Sequence, residues 1–146
     1  LLFEIGGFST ESMLEETGEK IAETLLKPHR SYFRQLAGLI EQKKIKGLVH
    51  ITGGGFLDNI PRILPENVSV EINRGSWEEL PIFGVLQKLG NVEDSEMFRA
   101  FNMGIGMVVV CGPDEVSAVK THLDAMNEEF FEIGRVVNGS NRVEIR

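Results

Sequence analysis

His50-Ile51-Thr52-Gly53-Gly54-Gly55-Phe56-Leu57-Asp58-Asn59-Ile60-Pro61-Arg62 carries the end of an apolar strand through three adjacent glycines into a short helical segment stopped near Pro61. A direct passage from strand to helix marks a chain in which both kinds of element share one core. Three consecutive glycines are costly to order, so a turn built from them needs positive φ angles or close backbone approach. Either need leaves N–H groups free at a helix start, where negative charge is favoured. The run has neither the lysine of a Walker loop nor the spaced glycines of a dinucleotide fingerprint. On the residues alone two readings therefore stand: a loop that binds a phosphate, and a tight strand-to-helix turn with no ligand. Under the first, Thr52, Gly53, Gly54 and Gly55 offer the backbone donors, and Arg62 offers a charge-assisted bond to the same group.

Outward from this run, the strand begins near Ile45. Before it, Tyr32, Phe33, Leu36, Leu39 and Ile40 recur at three- and four-residue intervals, the buried stripe of an amphipathic helix. Further upstream the spacing of Met13, Leu14, Ile21, Leu25 and Leu26 predicts a helix capped by Ser9 or Thr10, weakened by Gly18 and closed by Pro28; Gly6-Gly7 stops an earlier turn of helix. Downstream, Val68 to Ile72 alternates as a half-buried strand does. Pro81 opens a helix that ends at Gly90-Asn91, and Ser95 to Phe101 is a shorter one. A strand from Ile105 to Cys111 leads to a helix opened by Pro113. Phe130 to Val137 and Arg142 to Ile145 then read as a closing hairpin around Asn138-Gly139. Strands and helices that do not strictly alternate predict an α+β fold, a mixed β-sheet packed with helices, in one domain spanning residues 1–146.

Phe101-Asn102-Met103-Gly104-Ile105-Gly106-Met107 is the second unusual run, because two glycines interrupt a strand entrance and mark a bulge or a close approach. Asn102 is its residue best able to face a ligand. His50 is of the residue type suited to acid, base or donor roles, yet no carboxylate stands near it in sequence, which favours a positioning role. His29 and His122 have no metal-ligand spacing, so no zinc site is expected. Glu78-Glu79 and Glu128-Glu129 read as solvated pairs, and no nucleophile elbow or cysteine–histidine set is present.

Composition narrows the function classes. A chain of 146 residues, 42% hydrophobic and 25% charged, has enough material for a core. Fifteen basic against twenty-two acidic residues give a net charge of −7, which opposes broad contact with nucleic acid or an anionic membrane while leaving room for one small phosphorylated ligand. No apolar stretch approaches the roughly 18 residues of a membrane span. The single cysteine, Cys111, lies in an apolar run and fits a reducing cytoplasm. Leu1 opens inside an apolar run without an initiator methionine, as expected of a cut through a longer protein.

At its two glycine-containing runs the sequence resembles the phosphoribosylformylglycinamidine cyclo-ligase family, also called aminoimidazole ribonucleotide synthetase. His50-Ile51-Thr52-Gly53-Gly54-Gly55-Phe56 with Asn59-Ile60-Pro61-Arg62 is similar to its glycine-rich signature. Trp77, Pro81-Ile82-Phe83, Leu86-Gln87, Gly90-Asn91-Val92, Glu96-Met97 and Phe101 to Met107 follow in the family's order. Upstream, Leu25-Leu26-Lys27-Pro28-His29-Arg30 resembles a Leu-Leu-x-Pro-Thr-Arg pattern, with His29 where threonine is usual, which puts any role of that hydroxyl in doubt.

The resemblance implies a carboxy-terminal domain, partly ferredoxin-like, forming one wall of a cleft between two domains. It implies formylglycinamidine ribonucleotide and ATP as partners, with magnesium accompanying the nucleotide. ATP activates the formyl amide oxygen, and an amidine nitrogen closes the imidazole ring with loss of ADP and phosphate. An amino-terminal domain that this chain lacks is expected to form the homodimer and hold most of the nucleotide, so the isolated chain is expected to be inactive and to bind no cofactor tightly. His50, Asn59 and Asn102 complete the candidate binding residues, beside Thr52 to Gly55 and Arg62. The competing readings are a stand-alone regulatory or interaction domain and another member of the same ATP-binding superfamily.

Overall fold

A computed structural model describes all residues, 1–146. The elements run β1 (Met13–Leu14), β2 (Glu19–Lys20), α1 (Ile21–Leu25), α2 (Phe33–Glu41), β3 (Gly47–His50), α3 (Gly55–Asn59), a 3-10 turn (Ile60–Ile63), β4 (Val68–Ile72), α4 (Pro81–Gly90), α5 (Asp94–Ala100), β5 (Met107–Val110), a second 3-10 turn (Pro113–Glu115), α6 (Val116–Ala125), β6 (Gly134–Asn138) and β7 (Val143–Ile145). The α+β class holds, and the sheet is divided into separate ladders: an antiparallel β1-β2 pair, an antiparallel β3-β5 pair and a mixed β6-β4-β7 sheet.

Pairing of β3 with β5 sets His50 opposite Met107, so the two glycine-containing runs leave the ladder at the same end. The central core lies behind them. Phe56, Trp77 and Phe98 pack there with centroids 5.7 to 6.4 Å apart, Phe56 stacked on Trp77 and Phe98 edge-on to Trp77, joined by Val49, Ile51, Ile72 and Met103. A smaller cluster joins Leu2, Leu14, Ile21 and Val85, and a third joins Leu36 and Leu39 of α2 to Val119 and Leu123 of α6. On α2 only part of the anticipated stripe is buried, for Phe33 is 75% exposed and Ile40 48%.

Three local expectations are corrected. The helix predicted after Ser9 is instead the β1-β2 hairpin followed by the short α1. Gly18 takes φ +67°, which reverses the chain, and the helix starts only at Ile21, where the Glu23 carboxylate accepts the Lys20 N–H at 3.0 Å. Pro61 does not end the helical segment; it occupies the second position of the 3-10 turn, where its missing N–H costs nothing.

The third correction concerns β6 and β7, which flank β4 on opposite sides and do not form a hairpin: β6 runs antiparallel to β4 and β7 parallel. Between them the chain steps around the start of β4, the N–H groups of Gly139 and Asn141 donating to the carbonyls of Asn67 and Val68, with Asn141 at φ +58°. Ser69 Oγ accepts from the N–H groups of Ser140 and Arg142. The central place of β4 also resolves its polar positions: Glu71, only 9% exposed, receives Arg135 from β6 at 2.9 Å and Arg146 from beyond β7 at 2.7 Å. A buried carboxylate with a cation on each flank suits a strand with neighbours on both sides.

Candidate functional site

Beyond β3 the backbone stays tied to the second run, Ile51 N–H donating to the Gly106 carbonyl at 2.9 Å. The chain then turns, with Gly55 N–H on the Thr52 carbonyl at 2.9 Å, Gly54 at φ +99° and Gly55 at φ +52°. Both reasons for glycine meet at position 55. A Cβ there falls 2.0 Å from the Phe98 carbonyl oxygen and 2.8 Å from that of Phe101. Gly53 differs: its φ is not positive, and a Cβ there meets nothing within 4 Å.

Asn59 is buried, and its amide nitrogen donates toward the carbonyls of Thr52, Gly53 and Gly55 at 3.3, 3.2 and 2.8 Å. The amide therefore points inward and holds the loop's shape. With the carbonyls drawn in, the N–H groups of Thr52, Gly53, Gly54, Phe56 and Leu57 make no hydrogen bond within the chain. Thr52 and Gly53 are exposed, so the donors at the head of the loop face solvent. Asp58 next to the loop is paired with Arg99 of α5 at 2.8 Å, which offsets a charge that otherwise opposes an anion. Arg62 is exposed and makes no ion pair or side-chain hydrogen bond.

Across the ladder, Asn102 closes a tight turn: its Oδ1 accepts the Gly104 N–H at 3.0 Å, and Ile105 N–H donates to its carbonyl at 2.9 Å. Met103 at φ +49° and Gly104 at φ +97° complete the reversal, and Trp77 Nε1–H fixes it through the Met103 carbonyl at 2.9 Å. The half-buried Asn102 keeps its amide nitrogen without a partner. A Cβ at Gly106 falls 1.9 Å from the Tyr32 hydroxyl, so here the glycine permits a close approach by a side chain of the same chain.

His50 is exposed at the end of β3, and its Nε2 lies 2.7 Å from Nε2 of His29. Sequence reading missed this contact because the two residues stand 21 positions apart. Asp58 and Arg99, 41 positions apart, were missed for the same reason. His122 is bonded to the Gln35 carbonyl at 2.9 Å, a structural contact between α6 and α2. No group of three or more His, Cys, Asp or Glu side chains is placed to hold a metal ion. Burial, then the nearby Glu115 and Glu132, pushes the Cys111 thiol above its ordinary range, which makes it a poor nucleophile at neutral pH. No helix is long and apolar enough to cross a membrane.

The chain is 42% identical to a phosphoribosylformylglycinamidine cyclo-ligase of a Thermoanaerobacter species over 143 residues, which is 98% of this chain and 42% of that protein. Proteins of the same name from Geobacillus thermodenitrificans and Lactobacillus acidophilus are 44% and 46% identical, over 96% and 84% of this chain and 40% and 35% of their own lengths. The chain thus spans about two fifths of the length of the curated relatives it matches. A solved thiamine-monophosphate kinase from Stenotrophomonas maltophilia superposes with a TM-score of 0.63 over 99% of this chain and 44% of its own, at 19% identity, a likeness of fold alone. Residues 3–146 match the family described as AIR synthase related protein, C-terminal domain, and the chain belongs to that family.

Proposed function

We infer that the full-length protein is an ATP-dependent cyclo-ligase that closes formylglycinamidine ribonucleotide to aminoimidazole ribonucleotide in purine synthesis, and that this chain forms one wall of its active site. The observation that carries the reading is the 42 to 46% identity to proteins of that name, spread over 84 to 98% of the chain. Most of the nucleotide site and the homodimer contact are assigned to the part of the relatives that the chain does not span, and the protein is assigned to the cytoplasm. When bound, ATP supplies the activation of the formyl oxygen, and magnesium travels with it.

Within the chain, the free N–H groups of Thr52, Gly53 and Gly54 at the head of the loop, and of Phe56 and Leu57 behind it, suit an anionic oxygen, either a ribonucleotide phosphate or a transferred phosphoryl. His50 and the Asn102 amide nitrogen stand at the same end of the β3-β5 ladder as side-chain donors, and Arg62 adds an unpaired charge. Asn59 acts on ligand only through the loop that it holds. An acidic chain binds such a small anion through local dipoles and donors, without the basic surface that nucleic acid requires.

The test is product analysis with the full-length protein, magnesium-ATP and formylglycinamidine ribonucleotide. One ADP and one phosphate are expected per aminoimidazole ribonucleotide formed, with no turnover by residues 1–146 alone. ATP consumption without imidazole product, or no consumption at all, contradicts the reading.

A further inference from the structure

The facing Nε2 atoms of His29 and His50 are 2.7 Å apart, with ring centroids 4.7 Å apart and planes tilted by 59°. At that distance one nitrogen carries a proton and the other does not, because two N–H groups or two lone pairs repel. His50 is fixed from behind by the β3-β5 ladder. His29 follows Pro28, whose ring restricts the chain, and precedes Arg30, which is held by Glu128 at 2.5 Å and lies over the Tyr32 ring. Tyr32 meets His50 edge-on at 6.2 Å, and no carboxylate bonds either imidazole. Two imidazoles with no third ligand fall short of a metal site. What the pair does set is tautomer: the proton on one ring nitrogen follows from the bond the other nitrogen makes.

With Nε2 engaged, Nδ1 is the only ring nitrogen of His50 left for a ligand. The adjacent loop presents N–H donors, so a ring nitrogen that serves the same ligand must also donate. We propose that His29 is a positioning residue for His50: it donates its Nε2–H to His50 Nε2, holds His50 as the Nδ1–H tautomer, and so keeps a neutral donor ready for an anionic or carbonyl oxygen bound at the Thr52–Gly55 loop. The last step rests on the ligand-binding reading of that loop; the tautomer does not.

Long-range proton–nitrogen NMR correlation of the 15N-labelled chain in mildly alkaline buffer reads the tautomer directly. The expected pattern is a protonated Nδ1 and an unprotonated Nε2 on His50, lost in His29→Ala. A proton on His50 Nε2 in the unmodified chain overturns the proposal, whatever the enzyme's substrate. In the full-length protein, His29→Ala should raise KM for the ribonucleotide roughly five- to tenfold, the loss of about one hydrogen bond, with kcat within about twofold. His29→Gln, which retains an N–H donor, should recover most of that loss. His29 is exposed, so both variants should fold, and an unchanged KM in His29→Ala overturns the positioning role.

Discussion

Gly55→Ala is expected to destabilise the domain by about 3–5 kcal/mol, the range reserved for substitutions that combine backbone strain with a steric clash. The added methyl meets the Phe98 carbonyl oxygen at 2.0 Å and the Phe101 carbonyl oxygen at 2.8 Å. Both acceptors belong to backbone, so neither can swing aside as a flexible side chain does. At φ +52° the alanine is strained as well. Relief requires α3 to lift from α5, which opens the aromatic packing of Phe56 against Trp77 and Phe98. Urea titration monitored by Trp77 fluorescence measures the loss; a midpoint within error of the parent would contradict the close approach.

Phe56→Ala is expected to cost about 3–5 kcal/mol through a second route, the cavity left by an aromatic ring in a packed core. Phe56 is fully buried, with Trp77 and Phe98 each 5.7 Å away and themselves 6.4 Å apart, so its ring closes a three-way aromatic cluster. It follows Gly55 directly, so its removal also loosens the support of the glycine loop. Thermal melting should show a fall of about 10 °C or more, taking roughly 3 °C per kcal/mol for a domain of this size. Phe56→Leu, which refills much of the volume, should recover part of that fall.

These two residues mark what was legible in sequence. The glycine run announced a turn that needs positive φ or close approach, and Gly55 has both. Pro81 and Gly90-Asn91 bounded α4 as read, with Asn91 at φ +46° ending it, and the alternation of Val68 to Ile72 located β4. Local chemistry determines such features, so a single segment shows them. The relation of β6 and β7 depends instead on which edges of β4 are free, and Asn138-Gly139 carries the same turn signal whether the chain pairs with itself or steps around another strand. Gly18 was read as a weak point in a helix because apolar spacing over a short window cannot separate a loose helix from a hairpin. At the site, the inward role of the Asn59 amide and the pairing of His29 with His50 arise from contacts that sequence distance conceals. The same holds for Arg99, which reaches Asp58 from another helix.

The claim on which the rest depends is that the head of the Thr52–Gly55 loop faces a ligand and is more than a turn. Gly53→Ala tests it most directly, because the methyl projects into open space and the backbone is not held at positive φ. Stability should therefore stay within about 2 °C of the parent melting temperature, as for surface substitutions generally. Steady-state kinetics of the full-length Gly53→Ala enzyme should show KM for formylglycinamidine ribonucleotide raised about tenfold or more, the effect of displacing one hydrogen bond to a charged group. An unchanged KM and kcat at an unchanged melting temperature would contradict the account and leave the three glycines as a turn alone.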